Sequence, residues 1–143
     1  MGVTVPKGAP CYLDAVAIIA LVERIHPYWP KFEPLWQQLT AFANPILTSE
    51  LTLLEVLVGP LKKGNAAVAL EYEKLMTQTD IRLIPSSLDV YKQAAQLRAS
   101  LGLKTADAIH AASALMTGCK AFITDDADFK RVPGLPLVML SEL

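Results

Sequence analysis

Short apolar runs alternate with longer stretches of helical periodicity along nearly the whole chain, and this alternation restricts the fold more than any other sequence feature. The short runs are Pro10–Asp14, Ile46–Thr48, Ile81–Ile84, Ala121–Thr124 and Leu137–Leu140. Each is too short for a stable helix and reads as a strand buried on both faces. Between them, Ala15–Ile25 reads as a helix closed by His26-Pro27. Pro30–Phe42 carries Phe32, Leu35, Trp36 and Leu39 at steps of three and four, the mark of one helical face, and ends before Asn44-Pro45. Ser49 is placed to cap a helix reaching about Leu61, with Leu51, Leu54, Leu57 and Val58 expected on its core side. Gly59-Pro60 and Gly64-Asn65 are expected to interrupt that helix before the next, Ala66–Thr77. A helix capped by Ser86 or Ser87 ends near Leu101 at Gly102, and Thr105–Met116 follows, stopped by Gly118.

Short strands separated by helices predict an α/β, three-layer fold with a central parallel sheet of about five strands flanked by helices. The 143 residues fit a single domain, 1–143. In such sheets ligands bind just beyond the carboxyl ends of the strands. The first strand runs into Asp14 and the fourth into Asp125-Asp126, so acidic chemistry is expected at that edge.

Apolar residues make up 52% of the chain and charged residues 19%, a globular balance. The densest apolar run, Ala15 to Val22, falls short of the roughly 20 residues that span a bilayer. Met1–Pro10 has no secretory pattern, so a cytoplasmic protein without membrane attachment is expected. Cys11 and Cys119 fit neither a disulfide framework nor a zinc site and read as small apolar residues. The formal net charge is −1, from 13 basic and 14 acidic residues, which lacks the basic excess of a phosphate-tracking surface. Any nucleic acid contact must then come from local patches or a partner.

Four carboxylates fall where this architecture exposes them at one sheet edge: Asp14, Glu55, Asp107 and Asp126. Singly, each has an ordinary reading. Asp107 in a first helical turn is stabilised by the helix dipole, and Asp125, Asp126 and Asp128 suit a solvated, capping loop. Glu55 is harder to place, because a carboxylate within Leu53-Leu54-Glu55-Val56-Leu57 is costly unless paired or bound to a cation. Gathered together, the acids repel one another, and a divalent cation relieves that repulsion. Hard ions such as Mg²⁺ and Mn²⁺ prefer oxygen donors, and a site of this kind activates water and shields a phosphoryl group.

Four ordered motifs carry a family resemblance. They are Tyr12-Leu13-Asp14 followed by Ile18-Ile19-Ala20, Thr52-Leu-Leu-Glu55-Val-Leu-Val-Gly59, Leu103-Lys-Thr-Ala-Asp107-Ala-Ile-His-Ala-Ala112, and Phe122-Ile-Thr-Asp-Asp126-Ala-Asp128-Phe129. From Tyr12 to Leu140 the chain resembles PIN-domain ribonucleases, and specifically the VapC-type toxins of bacterial toxin–antitoxin pairs. The resemblance implies endonucleolytic cleavage of RNA with Mg²⁺ or Mn²⁺, a homodimer, and a cognate antitoxin that inserts a segment near the active site. It implies Asp14, Glu55, Asp107 and Asp126 as catalytic residues, with Asp14, Asp107 and Asp126 holding the metal. Asp125 stands where the family usually has Asn. Val16 stands where the family commonly has a small polar residue, and valine makes no hydrogen bond there.

Val16 and the near-neutral charge also motivate a second reading, a catalytically weakened PIN fold acting as an RNA- or protein-binding module. A phosphotransfer domain with an Asp nucleophile would want a second Asp where Val16 stands. Thr124, Lys104, Lys130 and Arg131 are the candidates for substrate contacts, with local caps and solvated charges as the alternatives. Ser49 has the same two readings as Thr124. His110, one turn beyond Asp107, reads as a packed helix histidine or as a group that touches substrate or orients Asp107. Tyr28, Trp29 and Trp36 suit a core, a dimer contact or an antitoxin groove.

Overall fold

The structure is a computed structural model and describes residues 3–143; Met1 and Gly2, at the start of the stretch read for a secretory signal, lie outside the described residues. Five strands form a parallel sheet in the order β3-β2-β1-β4-β5. They are β1 (Cys11–Leu13), β2 (Ile46–Ser49), β3 (Arg82–Ile84), β4 (Ala121–Thr124) and β5 (Leu137–Met139). Six α-helices connect them: α1 (Ala15–Glu23), α2 (Tyr28–Ala41), α3 (Glu50–Lys62), α4 (Ala66–Thr77), α5 (Leu88–Leu101) and α6 (Thr105–Thr117). A 3₁₀ helix over Ala127–Arg131 leads from β4 toward β5, and another covers Leu140–Glu142. The five expected strands are all present, and the fold is the three-layer α/β arrangement read from the sequence.

Strand alternation divides the core into two layers. Cys11, Leu13, Ile46, Ala121 and Ile123 pack with Phe32, Leu35 and Leu39 of α2, Val56 of α3 and Tyr72 and Met76 of α4 on one face. Tyr12, Leu47 and Phe122 pack with Val90, Ala94 and Leu97 of α5 and the alanines of α6 on the other. Helix α6 is buried without a break from Ala108 to Ala114, which its small side chains permit against both α5 and the sheet. Buried aromatic rings reinforce that layer: Tyr12 stacks on Phe122 at 5.0 Å between centroids, and Phe122 meets Phe129 at 4.7 Å.

Helix ends follow local chemistry. Ser87, of the two serines considered, accepts from Val90 N at 3.2 Å and caps α5. Gly102 and Gly118 close α5 and α6 at φ +68° and +65°, where a side chain would be strained. Two expectations for α3 need correction. The helix runs through Gly59-Pro60 to Lys62, and the break comes only around Gly64-Asn65. Its fully buried positions are Thr52, Val56 and Pro60; of the four residues expected on the core side, Leu51 and Leu57 pack partly buried against the core, while Leu54 is 63% and Val58 43% exposed. The leucine-rich segment satisfies more than one helical phase, and the packing of α3 against α1, α4 and α6 selects the phase. Among the described residues, no helix is long and apolar enough to cross a membrane.

Because Val56 is 2% exposed and Leu54 is open to solvent, the two alanine variants separate the phases. Val56→Ala should cost about 2 kcal/mol in denaturant unfolding, and Leu54→Ala less than about 0.5 kcal/mol.

Candidate functional site

The strand order reverses direction between β1 and β4, so the carboxyl ends of these neighbours flank the switch point at which open parallel sheets form ligand crevices. Asp14 follows β1 directly and caps α1, its Oδ1 accepting from Ala17 N at 3.1 Å. Asp126 lies two residues past β4 and caps the 3₁₀ helix, its Oδ1 accepting from Asp128 N at 2.9 Å. Asp107 sits in the first turn of α6, and Glu55 in the second turn of α3. These four acids line one open cleft of about 420 Å³, with Val16, Tyr28, Asp125 and His110 in its walls. The sequence separates them by up to 112 positions; the crossing of β1, α3, α6 and β4 brings them together.

Burial is the dominant electrostatic fact. It pushes the Asp14 carboxyl up to about 6, against hydrogen bonds from Thr124 and Ala17 that favour the charged form. Asp107 is also raised, first by burial and then by the charges of Asp126 and Asp128. Its Oδ2 is buried with no hydrogen-bond partner. Asp107, Asp126 and Asp128 each bring a carboxylate oxygen within 4.8 Å of the others. An orphaned, buried acceptor among crowded all-oxygen donors fits a hard divalent cation such as Mg²⁺ or Mn²⁺. Asp128, read from the sequence as a loop or capping residue, is thus the third member of this trio, and Asp14 lines the same cleft as Asp107 and Asp126. The tight 3₁₀ turn after Asp126 makes this possible by bringing the next carboxylate, two residues on, back toward α6.

Other residues take up positions the sequence left open. Glu55 is paired: its Oε1 lies 2.5 Å from His110 Nε2, so a hydrogen-bond partner accounts for this carboxylate without a cation. His110, 2% exposed, reaches Glu55 rather than Asp107. Asp125 lines the cleft but is engaged elsewhere, accepting from Ser141 N at 2.9 Å. Burial alone would raise its pKa, but Ser141, the Tyr28 hydroxyl and nearby Lys31 hold it below the ordinary carboxylate value. Ser49 caps α3, its Oγ accepting from Leu51 N at 3.0 Å.

Thr124 is fully buried, and its hydroxyl bridges two acids, accepting from Asp126 N at 3.0 Å and donating to Asp14. Arg131 reaches the Leu101 carbonyl at 2.6 Å and lies 3.6 Å from Asp128. Lys130 lies 3.8 Å from Glu142, an exposed pair of little energetic weight. Lys104 is exposed at the N-terminus of α6.

A buried carboxyl raised from 3.8 to about 6 destabilises the metal-free fold as pH rises through that interval, and the penalty is absent below about 3.8. Asn keeps the cap and removes the charge. Asp14→Asn should therefore stabilise the metal-free chain by about 3 kcal/mol at pH 7.5 and by almost nothing at pH 3.5, read by chemical unfolding at both values.

The PIN domain family model matches residues 11–135, which contain all four acids. No curated protein matches the chain in sequence. Among solved structures, the chain is similar to a toxin–antitoxin complex from Klebsiella pneumoniae, at 24% identity and a TM-score of 0.69, covering 91% of this chain and 97% of that one. It is similar to VapBC2 from Rickettsia felis, solved bound to a DNA fragment from its promoter, at 20% identity and 0.67, covering 91% and 98%. It is also similar to VapC20 from Mycobacterium tuberculosis, described as a toxin cleaving the sarcin–ricin loop, at 18% identity and 0.73, covering 88% and 97%. With the family model spanning most of the chain and the acids at the switch point of the matching fold, this chain belongs to the PIN-domain family.

Proposed function

We propose that this chain is a divalent-metal-dependent endoribonuclease that serves as the toxin of a type II toxin–antitoxin pair. The observation that carries the reading is the crowding of carboxylate oxygens from Asp107, Asp126 and Asp128 within 4.8 Å of one another, beside which Asp107 also keeps a buried, unpartnered Oδ2. Asp107 and Asp126, with Asp14 from the adjoining strand end and Asp128 beside them, would hold Mg²⁺ or Mn²⁺. Such an ion would supply the activation of a bound water at neutral pH and the charge shielding that phosphoryl chemistry needs. Asp14 and Asp126 are each oriented by the amide they cap, which fixes the rotamer of a carboxylate that lines the cleft. Glu55 is anchored through Oε1, so Oε2 is the atom positioned to take a proton from water in the cleft. Lys104, Lys130 and Arg131, which lie within or beside the third and fourth motifs, are the candidates for contacts with an RNA backbone, while the enclosed Thr124 is engaged with Asp14 and the Asp126 amide rather than with the substrate.

A protein partner is supported by the surface around Trp36. This ring lines one apolar groove of about 520 Å³ with Leu39, Ile46 and Ile81, and another of about 480 Å³ with Leu21 and Val22; Leu75 belongs to both. An antitoxin segment covering these grooves and reaching the acid cleft would block it, and the toxin itself is expected to be a homodimer. Two of the solved relatives are described as toxin–antitoxin assemblies.

Val16 in the cleft wall favours one alternative, a PIN fold with weakened catalysis that binds RNA or protein. If Val16→Asn creates RNA cleavage absent from the natural chain, this alternative holds.

With Mg²⁺ or Mn²⁺ the purified chain should cut single-stranded RNA internally, and chelation should abolish cutting. Asp107→Asn should reduce the rate by about a hundredfold or more. Absence of cleavage with either metal, together with an Asp14→Asn variant that behaves identically, would sink the nuclease reading. Co-expression with the protein encoded beside it should yield a stable complex in gel filtration in which cleavage is suppressed.

A further inference from the structure

His110 is bonded through both ring nitrogens inside the protein. Nδ1 lies 2.8 Å from the hydroxyl of Tyr12, and Nε2 lies 2.5 Å from Oε1 of Glu55. Tyr12 is fully enclosed, with its ring stacked on Phe122, and His110 is 2% exposed, so neither group exchanges these partners for water. His110 borders the cleft but stays buried, and Glu55 is the member of the chain most open to it, with its side chain 27% exposed.

We propose that His110 is a positioning residue, which holds the Glu55 carboxylate in its working orientation as the middle of a Tyr12–His110–Glu55 chain of hydrogen bonds. An ionised carboxylate only accepts, so Nε2 carries the proton and donates to Glu55. Nδ1 of the neutral ring is then an acceptor, and the Tyr12 hydroxyl donates to it. This is the assignment in which all three groups are satisfied with Glu55 charged. The opposite tautomer leaves Nε2 and the carboxylate as two acceptors facing each other, and removes the Tyr12 hydroxyl proton's acceptor within the core. The proton positions follow from this bonding logic, since the heavy atoms alone do not place them.

The chain of bonds has a consequence for the whole site. Tyr12 belongs to β1 two residues before Asp14, His110 to α6 one turn after Asp107, and Glu55 to α3. It therefore ties the acid on α3 to the two elements that carry Asp14 and Asp107. Without it, Glu55 would be a half-exposed side chain with free rotamers on a helix whose neighbouring Leu54 and Val58 already face solvent. Anchoring one oxygen through a rigid, buried ring leaves the other in a single direction, into the cleft. The inference rests on the reading of Glu55 as a working group of the nuclease site.

Long-range proton–nitrogen NMR correlation of the metal-free, full-length chain reads the tautomer directly. His110 should be the neutral ring protonated at Nε2, and Tyr12→Phe, which keeps the stack on Phe122, should move the resonance of the unprotonated Nδ1 while the proton stays on Nε2, where Glu55 accepts it. In RNA cleavage, His110→Leu should lower kcat about tenfold or more with KM little changed. His110→Gln, whose amide can still donate toward Glu55, should recover most of the loss. An imidazolium or an Nδ1-protonated ring in the natural chain overturns the proposal, as does a folded His110→Leu variant that cleaves at the natural rate. If His110→Leu does not fold, the tautomer and its response to Tyr12→Phe decide. A natural chain that cleaves no RNA defeats the nuclease reading instead, and the tautomer then decides the bonding chain by itself.

Discussion

Carboxylates confined together at low dielectric set the terms for this molecule. Asp14 is enclosed at the end of β1, Asp107 has an oxygen with no partner, and Asp126 and Asp128 stand close enough to raise the Asp107 pKa. Such an arrangement opposes folding, because each charge loses solvent and gains a like neighbour. The two apolar layers supply the opposing stabilisation, and the parallel sheet keeps the acids from separating. The strand that carries Asp14 pairs with the strand that leads to Asp126, so their distance is set by the sheet rather than by mobile loops.

The site also shows how structural and chemical roles coincide in one side chain. Asp14 and Asp126 are helix caps, each using one oxygen to satisfy an amide at a helix start. Capping does not compete with ligation, since a carboxylate retains acceptor capacity on its other oxygen. It restricts the rotamer and leaves the remaining acceptor pointing in a fixed direction. Thr124 extends the same economy by linking both acids through one buried hydroxyl. Asp125, next in sequence to Asp126, has the opposite fate. Its bond to Ser141 N and its contact with Tyr28 join the C-terminal segment and α2 to the rim of the cleft.

Charge balance fits this distribution. A net charge of −1 gives no long-range attraction for a polyanion. The acids are concentrated in the cleft, while Lys104, Lys130 and Arg131 stand on the elements bordering it. A divalent cation held among the acids would offset two of their charges and offer a phosphate a positive centre, so an overall basic surface is not a requirement for phosphate chemistry at this position.

Much of this was legible in the sequence. Strand length, helical periodicity, capping residues and stop signals located all five strands and six helices, because these depend on neighbours within a turn or a strand. The ends of β1 and β4 likewise marked where acids would gather, and four ordered motifs pointed to the family. What periodicity could not decide was the phase of α3, whose leucines satisfy several faces until α1, α4 and α6 choose one. Nor could it decide partners distant in the chain. His110 meets Tyr12 from 98 positions away and Glu55 from 55, so its role depends on how α6 lies across the sheet. Asp128 joined the acid trio because a 3₁₀ turn folds it back toward Asp107. The sequence by itself determined which elements form and where the acids stand along them. Tertiary structure alone decided which acids meet and which are already paired, because those contacts arise from the sheet's strand order and the packing of helices across it.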